Sequence, residues 1–517
     1  MLILVGAVLA LFMGYPLVFH YFLSPQEGHR GGFGLGGTNS TGQVPTFESM
    51  GMRSDLIDPD TDPALYKIKG TTGQDLVLVF SDEFNLDGRS FYPGDDPFWT
   101  AVDLWAHGTG DYEWYDPAAV TTSDGALHIT ASEDAIHNLN FRSGQLTTWN
   151  QFCFTGGFFE VSVRLPGSPQ VSGWWPAAWT MGNLGRANYG ATTEGMWPYS
   201  YDTCDTGTLI NQTNPDGLGP ISALQSGGET VFNDKYDTTS VSWLPGQRLS
   251  ACTCSGDDHP GPTRSDGSYV GRSAPEIDVF EAQVSNERGD VSLSGQFAPF
   301  NAGYWLNNAS GTEWQGYDPT FRINSYRGNV LQQSASGVAD TNQDAYELSG
   351  GTFSTYGFEY VPGLESDGAY ITWYLDGKLA WRMNAAAVGA DARAQISART
   401  IPEEPMYLIL NLALSSGFGY VDFDKLTFPA TMSVDYVRIY QPPDKINVGC
   451  DPPNFPTADY IQKHLEAYTN SNLTTWGNTR DVGGFEQDWP RNRLYSGGCD
   501  VEPRKYPGRE RASATAA

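Results

Sequence analysis

Short stretches of apolar or alternating apolar and polar residues, separated by turn residues, run along the chain from about Leu76 onwards. Alternation with a period of two is typical of a strand with one buried face, and short apolar runs bounded by turns are typical of strands buried on both faces. Strands are predicted at 76–80, 127–130, 157–165, 371–375, 405–414 and 434–440, with a tight turn at Asp376-Gly377. Helical periodicity is scarce and is clearest at 457–468. The pattern therefore predicts an all-β protein.

The segment 276–281, Glu-Ile-Asp-Val-Phe-Glu, is the part of this pattern most relevant to chemistry. In an extended strand Glu276 and Asp278 point to one face, and the apolar residues that follow each of them point to the other. Glu281 stands on the wrong face of a regular strand. A one-residue β-bulge at Val279-Phe280 returns it to the face of the other two acids, and bulges are common beside active sites. The segment predicts three carboxylates on one surface.

Two interpretations of this acid row are open. The chain has 60 acidic and 30 basic residues, so three acids on a solvated edge strand can arise by chance. Like charges on one strand face repel each other, however, and a segment selected only for stability avoids them. Two carboxylates about 5–5.5 Å apart are the machinery of retaining glycosidases, one as nucleophile and the other as acid and then base. We favour the second interpretation and take Glu276, Asp278 and Glu281 as candidate catalytic residues.

A second cluster has three tryptophans within the six residues 174–179. Aromatic faces stack on the C–H faces of sugar rings, so this cluster fits the wall of a sugar-binding cleft. Buried core residues are the alternative interpretation. Pro176 argues against a regular interior strand, because proline lacks one ladder N–H. Trp174, Trp175 and Trp179 are therefore candidate substrate-binding residues.

Composition limits the partners and cofactors. The chain has 517 residues, 59 glycines, 32 prolines and a net charge of −30, which fits a loop-rich β-sandwich. An acidic surface does not bind phosphate backbones, so nucleic acid is excluded as a partner, whereas a neutral polymer such as glucan is compatible. Cys252, Cys254 and His259 could be taken as a metal site, but they lack the paired two-residue spacing of zinc modules. We expect no metal and no cofactor.

The first 23 residues contain no charged side chain and are long enough to cross a bilayer, which takes about 20 residues. We favour an uncleaved signal anchor over a cleaved signal peptide, whose apolar region is shorter and follows positive charge. No basic residue precedes the segment, so its orientation cannot be set from flanking charge, and we expect further residues upstream of Met1.

The cysteines and glycosylation sequons all follow this segment. The six cysteines are Cys153, Cys204, Cys252, Cys254, Cys450 and Cys499, and the four sequons begin at Asn39, Asn211, Asn308 and Asn472. An even number of cysteines in this context predicts disulfides, although their pairing cannot be deduced from the spacing. These features predict a single-pass type II membrane protein of the secretory pathway, with its main domain on the lumenal or extracellular side.

The acid row matches the E-x-D-x-x-E signature of family 16 glycoside hydrolases in its bulged form. The chain resembles the laminarinase-like members of that family over 76–441. The matching segments occur in the family's order at 81–85, 156–167, 174–179, 276–281, 357–363, 373–378 and 434–441. The resemblance implies a jelly-roll β-sandwich of the concanavalin and laminarinase type, with long loop insertions and the acids on its concave sheet.

The same resemblance implies roles for individual residues. Glu276 corresponds to the nucleophile and Glu281 to the general acid/base, and Asp278 would hold a hydrogen bond or a proton for Glu276. Trp179, with Trp174 or Trp175, would stack on sugar rings beside the scissile bond. The glycosyl-enzyme intermediate could then be resolved by water or by a sugar hydroxyl.

More narrowly, the chain resembles fungal type II membrane proteins required for cell-wall β-1,6-glucan synthesis. Four features carry this likeness: the single signal anchor, Leu56-Ile57-Asp58-Pro59-Asp60 after it, a long cysteine-bearing insertion before the acid row, and Cys450-Asp451-Pro452-Pro453 in the C-terminal extension. The implied function is a retaining β-glucan glycosidase or transglycosylase, with cell-wall synthesis proteins as possible partners. A non-catalytic glucan-binding scaffold is the alternative, and a calcium-dependent adhesion domain is a weaker one.

The domain organisation predicted from these patterns has four parts. Residues 1–23 form a transmembrane anchor, 24–75 a stalk and juxtamembrane segment, and 442–517 an extension that packs on the sandwich. The sandwich itself covers 76–441 and contains an insertion at 183–272, which is rich in glycine, serine, aspartate and threonine.

Overall fold

The computed structural model describes residues 55–193, 201–225, 240–242 and 244–503. Strands dominate it, so the all-β prediction is confirmed. The strands are β1 (Lys67–Lys69), β2 (Asp75–Asp82), β3 (Thr100–Ala101), β4 (Glu113–Tyr115), β5 (Val120–Ser123), β6 (Ala126–Ala131), β7 (Phe141–Ser143), β8 (Gln145–Thr147), β9 (Gly157–Arg164), β10 (Trp174–Gly182), β11 (Glu276–Ser285), β12 (Arg288–Phe297), β13 (Trp314–Gly316), β14 (Arg322–Ile323), β15 (Gln333–Asp340), β16 (Ser354–Val361), β17 (Tyr370–Leu375), β18 (Lys378–Asn384), β19 (Met406–Leu414) and β20 (Ala430–Gln441). The α-helices are α1 (Gly190–Thr193), α2 (Ile221–Gln225), α3 (Ala458–Lys463) and α4 (Leu465–Thr469).

The strands form two large antiparallel sheets. The ten-stranded sheet has the order β1-β2-β20-β9-β16-β17-β18-β13, with β6 pairing with both β20 and β5. The eight-stranded sheet has the order β14-β15-β12-β11-β10-β19-β8-β3, so the strand of the acid row lies near its centre. Strands β4 and β7 form a separate parallel pair.

The two sheets pack face to face around one hydrophobic core. Phe159, Val161 and Ile371 from the ten-stranded sheet and Ile277 and Leu410 from the eight-stranded sheet are all fully buried in it. Complete burial of a side chain of this size contributes about 1.5–3 kcal/mol. Because alternate residues of each strand fill the core, the intervening residues of the eight-stranded sheet lie on its other face.

Every strand segment predicted from the hydrophobic pattern corresponds to a strand of the structure, although Leu165 and Pro405 lie one residue outside β9 and β19. The predicted turn between β17 and β18 is also present, with positive φ of 47° at Asp376 and 68° at Gly377. The predicted helix at 457–468 is confirmed as α3 and α4, which meet at His464. Each of these elements has a strong local sequence pattern, and the packing of the folded chain agrees with that pattern.

The expectation about Pro176 is wrong. Pro176 lies within β10, which is an interior strand between β11 and β19. It pairs with Leu412 of β19, whereas the pairing with β11 extends only from Met181 to Ala177. The proline thus stands just beyond the part of β10 that has partners on both sides, where a missing N–H costs little.

Segments predicted to lie outside the sandwich are joined to it. In the region assigned to the stalk, the Asp58 carboxylate accepts a hydrogen bond of 3.0 Å from the Glu83 amide, and β1 pairs with β2. The six cysteines form three disulfides, so the disulfide prediction is confirmed: Cys153–Cys450, Cys204–Cys252 and Cys254–Cys499. Two of these bonds join the C-terminal extension to the rest of the chain.

Among the described residues, no helix is both long and apolar enough to cross a bilayer. The anchor predicted at 1–23 and the sequon at Asn39 lie outside the described residues.

Candidate active site

The acid row is brought together by a β-bulge in β11. Asp278 pairs with Ser294 and Glu281 pairs with Ser292, so Val279 and Phe280 together oppose the single residue between those serines. Both bulge residues are fully buried in the core. Glu276, Asp278 and Glu281 consequently share the face that points away from the core. The bulge predicted at Val279-Phe280 is therefore confirmed.

Asp278 is the most firmly held of the three acids. The Ser294 hydroxyl donates to its Oδ2 at 2.6 Å, and the Gln296 amide donates to the same oxygen at 3.0 Å. The Trp373 indole, from the opposite sheet, donates to its backbone carbonyl at 2.8 Å. Burial raises the pKa of Asp278, and these side-chain hydrogen bonds oppose the rise. Donors aimed at a carboxylate stabilise its charged form.

Glu276 has a different environment. Only 8% of it is exposed, and within the described part of the chain its Oε2 has no hydrogen-bond partner. Burial first and the Asp278 charge second raise its pKa well above the ordinary value. The interaction between the two carboxyls raises the pKa of Glu276 and lowers that of Asp278, so Glu276 keeps a proton more readily than Asp278.

Glu281 lies at the more open end of the row. It is partly exposed, and its Oε1 accepts a hydrogen bond of 3.1 Å from the Trp175 indole. Burial, followed by the Asp278 charge, raises its pKa well above the ordinary value. Because Trp175 occupies Oε1, a proton on this carboxyl is directed to Oε2. A carboxyl that stays protonated near neutral pH can act as a general acid.

The three candidate tryptophans do not lie on one wall. Trp175 and Trp179 lie on β10, which pairs with β11, and their side chains are on the same face of the sheet as the three acids. Trp174 is 6% exposed and packs in the core with its ring 5.0 Å from that of Phe428. The prediction that Trp174 contacts substrate is therefore wrong, because consecutive strand residues point to opposite faces.

Trp175 and Trp179 are each fixed by a neighbouring side chain. The Phe418 ring lies parallel to Trp175 at 4.2 Å, which covers one indole face. The Trp179 indole donates to Asn411 Oδ1 on β19 at 2.8 Å. Trp179 thus has a fixed orientation beside Asp278, its partner in the strand pairing.

Several residues at the site have no strong sequence signal. Asn411 donates to the Tyr115 hydroxyl at 3.3 Å, and Tyr115 donates to Asp111 at 3.1 Å. Asp111 and Glu113 are both buried, and burial raises the pKa of Asp111 to about 6. The sequence does not predict this series of hydrogen bonds, because it joins residues that are far apart along the chain. Its one local signal is the alternation of acids in Asp111-Tyr112-Glu113, which is typical of a strand with both acids on one face.

The Glu276 end of the row is covered by the insertion and the C-terminal extension. Next to Glu276 across the sheet lie Met181 of β10 and then Tyr407 of β19. The Tyr407 hydroxyl accepts a hydrogen bond of 2.9 Å from the Ala187 amide of the insertion. Met181 and Tyr407 belong to one buried cluster with Tyr468 of the extension.

The interpretation of Cys252, Cys254 and His259 as a metal site is wrong, because Cys252 and Cys254 are both in disulfides. Over the ranges that the structure describes, no group of three or more histidine, cysteine, aspartate or glutamate side chains could hold a metal ion.

Comparison with known proteins gives a consistent family assignment. The family model described as "Beta-glucan synthesis-associated protein SKN1/KRE6/Sbg1" matches residues 1–499. The chain is 42% identical over 457 residues to the beta-glucan synthesis-associated protein KRE6 of Candida albicans, covering 87% of this chain and 56% of the relative. It is 43% identical over 461 residues to KRE6 of Saccharomyces cerevisiae, covering 88% of this chain and 58% of the relative. The chain thus spans about half the length of the curated relatives it matches.

More distant matches are glucanases. The endo-1,3-1,4-beta-glycanase ExsH of Rhizobium meliloti is 28% identical over 193 residues, covering 32% of this chain and 39% of that protein. Among solved structures, the laminarinase catalytic domain of Thermotoga maritima aligns with a TM-score of 0.39 and 18% identity, covering 71% of this chain and 98% of that one.

Proposed function

The chain belongs to the SKN1/KRE6/Sbg1 family of beta-glucan synthesis-associated proteins, and we propose that it is a retaining β-glucan-active glycosidase or transglycosylase of fungal cell-wall β-1,6-glucan synthesis. One observation carries the proposal. The bulge at Val279-Phe280 presents Glu276, Asp278 and Glu281 on one face, in three different hydrogen-bonding environments. Acids with the same task need no such differentiation, whereas a nucleophile, its proton partner and a general acid do.

In the first chemical step, Glu276 attacks the anomeric carbon of a glucan unit after passing its proton to Asp278. Asp278 can take that proton because the two carboxyls lie on the same face of β11, two residues apart. Glu281 gives its proton to the leaving sugar oxygen as the glycosidic bond breaks. The products of this step are a glycosyl ester on Glu276 and a carboxylate at Glu281.

In the second step, Glu281 removes a proton from an incoming hydroxyl. That oxygen attacks the anomeric carbon, and the ester bond to Glu276 breaks. Trp179, whose indole is fixed by Asn411 at 2.8 Å, is placed to stack on the sugar beside the scissile bond. The net configuration at the anomeric carbon is retained, because it is inverted twice.

The proposal extends to location and partners. Disulfides are typical of oxidising compartments, and the three disulfides support a lumenal or extracellular position for this domain. The uncharged residues 1–23 support a single-pass type II anchor in the secretory pathway. The partners proposed are β-glucan polysaccharide or oligosaccharide and other cell-wall synthesis proteins, with no role for nucleic acid.

A non-catalytic glucan-binding scaffold is the second candidate. It is favoured by the small exposure of the row, since Asp278 is 1% and Glu276 is 8% exposed. On this view the insertion covers a site that no longer admits a glucan chain to the acids.

Product analysis separates the two candidates. The full chain is incubated with defined β-1,3- and β-1,6-gluco-oligosaccharides, and the products are measured by mass. We expect shorter or longer products from the wild type, and a loss of rate on the order of 10⁴-fold in Glu276→Gln with the fold intact. The matched control is Glu287→Gln, which alters an exposed glutamate just beyond the same strand. Unchanged oligosaccharides that nevertheless bind would favour the scaffold, and a folded Glu276→Gln variant with near wild-type turnover would exclude Glu276 as nucleophile.

A further inference from the structure

The loop that follows β19, residues 415–420, lies beside the acid/base end of the row, and we call it the 415–420 loop. We propose that this loop holds the acceptor sugar, so that the glycosyl unit on Glu276 passes to a second β-glucan chain in preference to water. The inference rests on the proposed function and specifies its acceptor.

The position of the loop follows from the strand pairing. Along β11 the acid face presents Glu276, Asp278 and Glu281, and beyond the bulge it continues with Gln283. A Cβ placed on Gly419 would lie 3.2 Å from Gln283 Oε1, so the backbone of the loop passes directly over Gln283. The loop is therefore next to Glu281, on the side away from Glu276.

One aromatic ring of the loop, that of Phe418, packs on this side of Glu281. Phe418 covers the indole of Trp175 in a parallel stack at 4.2 Å, and the same indole donates to Glu281 at 3.1 Å. Phe418 is itself only partly exposed, and Tyr420 is 74% exposed. An aromatic side chain this exposed contributes little to folding, whereas it offers a flat apolar surface with a polar hydroxyl, which suits a sugar ring.

Three hydrogen bonds hold the loop in place. The Ser415 hydroxyl donates to the Thr109 carbonyl at 2.7 Å, and the Tyr112 hydroxyl donates to Ser416 at 3.1 Å. The Ser172 hydroxyl donates to the Tyr420 carbonyl at 2.7 Å. A platform fixed in this way binds a ligand without a large cost of ordering.

The chemistry of the second step then selects the acceptor. The hydroxyl that attacks the glycosyl ester must give its proton to Glu281, so the acceptor has to lie beside Glu281. The opposite end of the row is covered by Met181, Tyr407 and residues of the extension. An acceptor that approaches from the Glu281 side meets Phe418 and Tyr420, and these apolar faces favour a sugar ring over water.

In the transfer step the acceptor oxygen forms a bond to the anomeric carbon. The ester bond to Glu276 breaks and its electrons return to the Glu276 carboxylate. The acceptor proton moves to Glu281. No other reactant is required.

The test measures how the glycosyl ester on Glu276 is divided between transfer to a sugar acceptor and hydrolysis by water. The full chain receives an unlabelled gluco-oligosaccharide donor and a fluorescently labelled gluco-oligosaccharide acceptor, and labelled elongated products are compared with shortened donor. We expect Tyr420→Ala to lower the ratio of transfer to hydrolysis by about three- to tenfold. Tyr420→Trp should restore the ratio. The control is Tyr317→Ala, an exposed tyrosine that lies against β18 of the other sheet.

Binding of the labelled oligosaccharide to Glu276→Gln provides a readout that does not need turnover. If Tyr420→Ala leaves this binding and the product ratio unchanged, the inference is wrong, whatever the activity. If the wild type only shortens its donor at every acceptor concentration, the acceptor role is wrong and the proposed function stands. If binding depends on Tyr420 but no product forms, the proposed function fails and the loop remains a glucan-binding site.

Discussion

At the scale of single residues, hydrogen-bond donors distinguish three acids that are chemically alike. Asp278 accepts from Ser294 and Gln296, Glu281 accepts from one indole, and Glu276 Oε2 has no partner among the described residues. Burial raises the pKa of all three carboxyls, and charge on Asp278 raises the pKa of both glutamates further. The placement of donors therefore stabilises the charged form more at Asp278 than at the two glutamates.

The acid/base role of Glu281 is tested by removing its carboxyl. Glu281→Ala should lose activity on unactivated glucan by about 10²- to 10⁴-fold, the usual contribution of a positioned general acid. Azide should restore part of the rate on a substrate with an activated leaving group, because a small anion can resolve the ester on Glu276 without a general base.

The pH profile gives a second measurement of the same role. The raised pKa of Glu281 keeps it protonated well above the ordinary carboxyl range, and wild-type activity should fall as pH rises through this raised pKa. The variant with azide should lack this alkaline fall. The absence of any rescue, together with an unchanged alkaline limb, would assign the acid/base role elsewhere.

At the scale of secondary-structure elements, the bulge in β11 places all three acids of the row on one face. Without it Glu281 would point into the core, because the side-chain period of a strand is two. Two core tryptophans of the opposite sheet hold the strands here: Trp373 donates to the Asp278 carbonyl at 2.8 Å, and Trp381 donates to the Leu293 carbonyl at 3.2 Å. Their rings stack at 4.4 Å.

These two tryptophans allow a matched comparison. Trp373→Phe and Trp381→Phe each remove a hydrogen bond and some core volume, so each should lower the free energy of unfolding by about 1–3 kcal/mol. Trp373→Phe should also lower kcat about tenfold, because it releases the backbone at the start of the bulge that positions Glu281. Trp381→Phe should lower kcat by a smaller factor, since it releases β12 at Leu293, which lies opposite the bulge but has no acid of the row. Chemical denaturation and steady-state kinetics check both, and equal kcat losses would contradict the positioning role of Trp373.

Local patterns predicted the elements well and the contacts between them less well. The acid face and its bulge could be deduced because 276–281 contains the whole alternation. The same alternation places Trp174 and Trp175 on opposite faces of a strand, which the prediction of a single tryptophan wall overlooks. Asn411 and Phe418 could not be predicted as site residues, because their positions depend on the pairing of β19 with β10.

At the scale of the whole molecule, long-range links hold the C-terminal extension against the sandwich. Cys153–Cys450 joins residues 297 apart, and Cys254–Cys499 joins the extension to the insertion. The buried ion pair between Arg272 and Glu404, at 2.8 Å, ties the end of the insertion to the chain just before β19. The cover over the Glu276 end is thus built from two segments that are distant in sequence and covalently linked to each other.

Removal of the Cys153–Cys450 bond tests how far the extension depends on it. Cys153→Ser/Cys450→Ser should lower the free energy of unfolding by about 2–5 kcal/mol and make the chain after 441 accessible to protease. Cys204→Ser/Cys252→Ser is the matched control, because it opens a loop of only 48 residues within the insertion. A loop of 297 residues should cost about 1–2 kcal/mol more to lose, since closure entropy grows with the logarithm of loop length. Guanidinium unfolding followed by tryptophan fluorescence gives the energies, and mass analysis after limited proteolysis locates the opened segment. Equal energies for the two variants, with the extension still resistant to protease, would show that packing around Tyr468 holds the extension without the disulfide.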